Sequence, residues 1–219
     1  MGTTEGRRQR KVRHTRAALA STALRLVLER GLAAVSVEDV TEQVDVSRRT
    51  FNRYFSSKED AVLDGWRADC ERINAALARR PAAERPLDAY RSALRAWLAD
   101  EASPALHRRP EGRALFRLAA EEPALTAVLR RINVGAEEES IGIVAARLGL
   151  DPARDLRPAV AVGAGAAVLM AAVRAWVRAE GAAGLPELVE SAFRALAAEP
   201  PPSPDGRPIP PISERKDPS

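Results

Sequence analysis

The stretch Ser36–Lys58, SVEDVTEQVDVSRRTFNRYFSSK, decides the fold. Ser36 stands three residues before Asp39, the spacing of a reciprocal cap at a helix start, and Val37, Val40 and Val44 then recur at helical intervals. The spacing predicts a two-turn helix over 37–44. Asp45 and Val46 interrupt the period, and Ser47 is placed to cap a second helix by accepting from the N–H groups of its first turn. At about 100° per residue, that second helix carries Phe51, Tyr54 and Phe55 on one arc. Arg49, Asn52 and Arg53 share the opposite arc, with Arg48 and Thr50 at the edges. One face anchors while the other is free to read. Two helices around a tight turn, the second presenting guanidinium and amide groups, is the helix-turn-helix arrangement whose second helix enters the DNA major groove. Arginine can pair with guanine O6 and N7, and asparagine with adenine N6 and N7. A charged helical arc can also be no more than a solvated face.

Charge is unevenly shared along the 219 residues. The first 60 hold 12 basic and 8 acidic residues, and the rest hold 22 of each, so the whole net charge of +4 lies at one end. A basic end beside a neutral remainder is the electrostatic footprint of a protein that docks one end on phosphates. Residues 1–14 contribute Arg7, Arg8, Arg10, Lys11 and Arg13 with almost nothing to bury, which predicts a flexible basic arm. Such an arm can follow the phosphates or enter an A·T-rich minor groove, or add only non-specific attraction. From Thr15 a helix is expected with Leu19, Ala23, Leu26 and Val27 as its apolar stripe, closed by Gly31.

The spacing T-F-x-x-Y-F-x-x-K, at Thr50, Phe51, Tyr54, Phe55 and Lys58, resembles that of the tetracycline-repressor (TetR) family of transcriptional regulators. Glu29-Arg30-Gly31-Leu32 followed by Ser36-Val37 adds to the likeness, which covers about Thr15 to Leu63 by motif and the remainder by helix pattern alone. The resemblance implies an all-α fold of about nine helices. It divides into a helix-turn-helix head over 15–57 and a ligand-binding and dimerisation body over 58–199. It also implies a double-stranded DNA operator, a homodimer built from the last two long helices, a small-molecule effector bound in the body, and no cofactor. Arg48, Arg49 and Asn52 are then expected at bases and Thr50, Tyr54 and Lys58 at phosphates, with Ser36, Ser47 and Arg53 completing the DNA-binding set. The chain departs from the family where Asn52 replaces a common aromatic residue, Asp45 a common glycine and Val44 a common alanine.

Beyond Lys58, apolar periodicity predicts helices over 58–79, 87–102, 113–120, 123–148, 155–179 and 186–198, separated by proline- or glycine-marked breaks. Trp66, Cys70, Tyr90, Trp97, Phe116 and Trp176 are the large or polarisable residues available to line a ligand pocket, although amphipathic helices need such residues for packing in any case. Ala159, Gly163, Ala167 and Ala171 recur every four positions and would admit a second helix closely, either within the chain or, with Phe193, across a dimer interface. The acidic run Glu137-Glu138-Glu139 reads as a solvated face. From Pro200 onward lie half of the 16 prolines, which predicts a disordered tail.

The sequence also narrows function by what it lacks. One cysteine, Cys70, and two distant histidines offer neither a thiolate metal cage nor a nucleophile beside a base, so neither an enzyme nor a metal site is expected. No signal peptide is evident, and the apolar stretch 159–173 is too short and alanine-rich for a membrane span. The expected protein is a cytoplasmic repressor. It would bind a palindromic operator as a homodimer and be released by a hydrophobic or aromatic effector. A ligand-independent architectural DNA-binding protein and an activator stand as alternatives.

Overall fold

The computed structural model describes residues 3–179 and 183–198, and among these the chain forms ten α-helices and no strand. Helix α1 (Thr3–Arg30) ends at Gly31, whose φ of +83° only glycine adopts freely and whose N–H reaches Val27 O at 2.9 Å. Helix α2 (Val37–Val44) starts on the expected box: Ser36 N–H donates to Asp39 Oδ2 at 2.7 Å, and Asp39 N–H donates to Ser36 Oγ at 3.1 Å. It ends in a Schellman motif, with Asp45 N–H on Glu42 O and Val46 N–H on Thr41 O. Asp45 takes the left-handed conformation, φ 54°, at a cost of about 1 kcal/mol that a short polar side chain tolerates better than most. The tight turn thus survives without its glycine.

Helix α3 (Arg48–Asn52) and helix α4 (Lys58–Val62) are each a little over one turn, capped by Ser47 on Thr50 N–H and by Ser57 on Asp60 N–H. Helices this short do not persist alone. Phe51 and Phe55 hold α3 in place, fully buried with ring centroids 5.5 Å apart, in one cluster with Leu19, Ala23, Val40 and Leu63.

The body consists of α5 (Asp64–Ala78), α6 (Pro86–Ala99), α7 (Gly112–Glu121), α8 (Pro123–Leu148), α9 (Arg157–Arg178) and α10 (Leu185–Ala197), with a 3₁₀ turn at Leu106–Arg108. Helix α9 is long and apolar enough for a membrane span, but Val162, Val168, Leu169, Val173 and Trp176 are buried inside the bundle. Gly165 lies where a Cβ would overlap the Tyr90 ring, so α9 and α6 meet there by backbone-to-ring contact. Helix α10 is clamped to α6 by Glu190, which accepts from Arg95 Nε at 2.6 Å and also pairs with Arg91. Those guanidiniums hold the Glu190 carboxyl down at about 2, from an ordinary value of 4.5. Because the folded value is the lower one, this contribution is complete above about pH 4.5 and lost as pH falls towards 2. Glu190→Gln is therefore expected to lower the melting temperature near neutrality and flatten its pH dependence across that window. An unchanged acid limb in a pH series of melting curves would show that the clamp contributes nothing.

Three expectations are corrected by the structure. Residues 3–14 continue α1 rather than forming a flexible arm, and the helix does not begin at Thr15, whose hydroxyl donates to Lys11 O at 3.0 Å inside it. Arg, Gln and Lys are good helix formers, and after Gly6 nothing in RRQRKVRHTR breaks a helix. The expected 58–79 helix is two helices, broken at Leu63 with φ −94° and ψ 7°, which raises nine helices to ten. Leu63 is fully buried and is followed by Asp64-Gly65, a poor helical pair whose carboxylate is drawn to Arg16. The third is Phe193, which is buried beneath the Arg91 guanidinium at 5.3 Å and belongs to this chain's own core rather than to an outward interface. The proline-rich tail lies outside the described residues.

Candidate nucleic-acid interface

Helix α3 presents Arg48, Arg49, Asn52 and Arg53 to solvent while Phe51 and Phe55 face inward. The four exposed side chains are not equivalent. Arg48 pairs with Glu38 at 2.7 Å, and Arg53 donates to Tyr54 Oη at 2.8 Å with its guanidinium 4.8 Å from that ring's centre. Both Arg48 and Glu38 are more than half exposed, so that pair is weak and readily exchanged for a phosphate or base. Arg49 and Asn52 make no hydrogen bond or ion pair within the described residues, which leaves them pre-exposed on one face.

The hydroxyls have local work. Ser36 Oγ is engaged by Asp39, whose carboxyl is lowered by the Ser36 hydrogen bonds, and Ser47 Oγ meets Thr50 Oγ1 at 3.0 Å. Lys11, Thr15, Ser47, Thr50, Arg53 and Tyr54 line a groove between α1 and α3, which brings one residue of the basic segment beside α3. Arg10 and Arg13 are exposed on α1, and the side chains of Arg7 and Arg8 lie outside the described set. Lys58 is the surprise. Its half-buried ammonium donates to Leu32 O at 2.7 Å and Val35 O at 2.6 Å, tying α4 to the loop before α2 and leaving one N–H for anything else.

Behind α3 is a charged junction that sequence reasoning missed. Arg16 of α1 grips Asp64 with Nη2 at 2.6 Å and lies 5.6 Å over the Phe55 ring. Arg67 bonds Asp60, which also accepts Ser56 N–H and Oγ–H at 3.1 Å each and has Arg131 of α8 at 3.7 Å. Body helices α5 and α8 thus touch the segment that follows α3. The available signal was Asp60, Asp64 and Arg67, charges spaced at helical intervals beside an apolar stripe.

Of the six pocket candidates, Trp66, Cys70 and Tyr90 do line a cavity, together with Asn74, Asn133, Glu137, Ser140 and Met170 among others. It measures about 30 Å³, room for a water-sized group. Burial pushes the Cys70 thiol up to about 12, which makes it an unreactive thiol. Trp97, Phe116 and Trp176 lie beside the cavity in an aromatic cluster, with Trp66 5.2 Å from Phe116 and 6.2 Å from Trp97. His107 joins them 5.7 Å from Trp97, its basicity lowered mainly by burial. On the outer side of α9, Leu156 and Val160 are 76% and 66% exposed, Ala167 and Ala171 are exposed, and Ala159 and Gly163 are half-buried, with nothing near a Cβ at Gly163. Among the described residues no cluster of His, Cys, Asp and Glu could hold a metal.

Comparison with known proteins agrees with this geometry. Residues 19–63 match the family described as "Bacterial regulatory proteins, tetR family", and residues 84–201 match the "MftR C-terminal domain". The chain is 39% identical over 178 residues to the HTH-type transcriptional regulator TcmR of Streptomyces glaucescens, covering 78% of this chain and 76% of that protein. A Clostridium perfringens structure, described as that of a fatty acid metabolism regulator, shares the fold at 15% identity and a TM-score of 0.50, over 88% of this chain and 99% of that one. A transcriptional regulator of the TerR/AcrR family from Aquifex aeolicus VF5 is similar at 15% identity and a TM-score of 0.47, over 84% and 98%. With residues 19–63 and 84–201 matched and this identity spanning most of both chains, this all-α protein belongs to the TetR family of bacterial transcriptional regulators, DNA-binding proteins rather than enzymes.

Proposed function

We propose that the protein is a cytoplasmic repressor that binds a palindromic operator as a homodimer, with residues 15–57 as the reading head and 58–199 as the body, and leaves DNA when a small effector enters the body. The observation that carries the reading is α3: Arg49 and Asn52 are exposed and uncommitted on a helix pinned from behind by Phe51 and Phe55. Arg49, Asn52 and, after release from Glu38, Arg48 read bases. Thr50, Tyr54 and the groove that includes Lys11 meet phosphates, and Lys58 adds its one spare donor there. The outward face of α9, with Leu156 and Val160 flanking Gly163, Ala167 and Ala171, supports pairing with a second copy. Two heads related by a twofold axis read half-sites about one helical turn apart.

Effector release follows from linkage. A ligand that widens the cavity beside Trp66 shifts α5, and the Arg16–Asp64 and Arg131–Asp60 contacts carry that shift to α1 and α4. Whatever it does to DNA affinity, DNA does in equal measure to its own affinity.

Selecting bound sequences from a random DNA pool tests the reading, and a palindromic motif is the expected product. Arg49→Ala should relax choice at one base pair per half-site, by about 1–3 kcal/mol each, with affinity for non-specific DNA nearly unchanged. Enrichment of no motif, with salt-dependent binding to every sequence, would instead favour an architectural DNA-binding protein.

A further inference from the structure

The cavity between α5, α6, α8 and α9 has a charge character of its own, and the inference drawn from it rests on the effector reading above. Its lining holds one carboxylate, Glu137, and no basic side chain. Four of the other polar groups around it, on Asn74, Ser140, Trp66 and Asn133, are occupied. Asn74 Nδ2 donates to Ala136 O at 3.1 Å and to Glu139 at 2.9 Å, and Ser140 Oγ donates to Asn74 Oδ1 at 2.5 Å. Trp66 Nε1 donates to Asn133 Oδ1 at 2.8 Å, and Asn133 Nδ2 faces the Met170 sulfur at 3.7 Å. Glu137 is half-buried and has no hydrogen-bond or ion-pair partner among the described residues. Burial raises its pKa from the ordinary carboxylate value, and among the described residues no neighbouring cation offsets that rise. The acidic run read from sequence as a solvated face therefore turns one of its three members into the cavity.

We propose that this cavity selects effectors carrying a protonated amine on an apolar or aromatic body, with Glu137 as the counter-ion and Trp66, Tyr90 and Met170 as the wall around the cationic head. An ammonium or amidinium group would supply the charge partner that Glu137 lacks, and aromatic rings and a thioether are favourable neighbours for a cation. A carboxylate or phosphate ligand would bring a second negative charge into a partly desolvated site that offers no basic residue to receive it. At about 30 Å³ the space admits little beyond the head group, so the apolar body enters by displacing neighbouring side chains, of which unbranched Met170 re-packs most easily.

The test is calorimetric titration of the full chain, free of DNA, with three probes that share one ring system: 2-naphthylmethylamine, 2-naphthylmethanol and 2-naphthoate. The expected order of affinity is amine, alcohol, carboxylate. Glu137→Gln is isosteric on an already half-exposed position, so folding is retained, and it should weaken the amine by about tenfold or more while leaving the alcohol within about twofold. The inference is overturned if the carboxylate binds as tightly as the amine, if no probe binds, or if Glu137→Gln leaves the amine unaffected. Operator affinity measured with and without saturating amine separates this from the reading beneath it. Selective, Glu137-dependent amine binding that leaves operator affinity unchanged would sink effector release and leave the site assignment standing.

Discussion

Phe51→Ala is expected to abolish operator binding by unfolding the head while the body stays folded. Phe51 is fully buried, its ring is 5.5 Å from that of Phe55, and it is the sole fully buried side chain of the five-residue α3. Truncating a buried phenylalanine costs about 3–5 kcal/mol, a large share of the 5–15 kcal/mol that typically holds a domain together. A helix of this length has no stability of its own to offset the loss. The chain provides a clean way to see it. All three tryptophans, Trp66, Trp97 and Trp176, lie in the body, so intrinsic fluorescence reports the body, whereas hydrogen exchange over 36–57 reports the head. Rapid exchange across 36–57 with an unmoved tryptophan melting curve is the expected pattern, and Phe51→Leu should recover most of the protection. Retained operator affinity in Phe51→Ala would show that α3 is not held the way its packing indicates.

Asp69→Ala should damage the body to a similar degree. Asp69 is a fully buried carboxylate on α5 that accepts Leu106 N–H at 2.8 Å and pairs with Arg72, whose guanidinium also donates to Ser103 O. It is the post to which the α6–α7 connection is tied. Removing it leaves the partly buried Arg72 guanidinium without its charge partner and the buried Leu106 amide without its acceptor, and breaking a buried pair from one side costs about 3–5 kcal/mol. Because His107 of that connection meets Trp97 and Trp176, tryptophan emission should change along with the melting temperature. Asp69→Asn retains one acceptor oxygen for Leu106 N–H and should cost less than alanine. A loss under about 1 kcal/mol in Asp69→Ala would place this contact with exposed ion pairs, which contribute little. No periodicity flags Asp69. In sequence it is one acidic residue among thirty, and only the return of residues 103–106 against α5 makes it structural.

Lys58 shows the opposite difficulty, a residue legible in sequence whose immediate contacts are not. The family resemblance implies a phosphate contact for it, yet in the folded protein its ammonium serves Leu32 O and Val35 O. A side chain with four rotatable bonds settles on whichever acceptors the tertiary fold brings near, and those lie more than twenty residues away in the chain. The stripe on α9 repeats the lesson at the level of a helix face. A four-residue repeat of small side chains, Ala159 to Ala171, reads as a close-approach surface, but the glycine on which another part of this chain closes is Gly165, against Tyr90. Which side of α9 faced inward depended on where α6 and α8 lay.

What the sequence determined by itself was most of what is set by neighbours three or four residues apart. The Ser36–Asp39 box, the Ser47 cap, the Gly31 stop and the 123–148 helix all stand where spacing placed them, because a cap needs only the N–H groups of its own first turn. The inward side of α3 was equally legible, since 100° per residue separates Phe51 and Phe55 from Arg49 and Asn52 whatever surrounds them. Tertiary structure alone decided the rest: that Phe193 is buried under Arg91, that Glu137 turns into a cavity with no cation to meet it, and that Asp60, Asp64, Arg16 and Arg131 join body to head. Burial and charge pairing depend on elements that are distant in sequence and become neighbours only when the chain closes on itself.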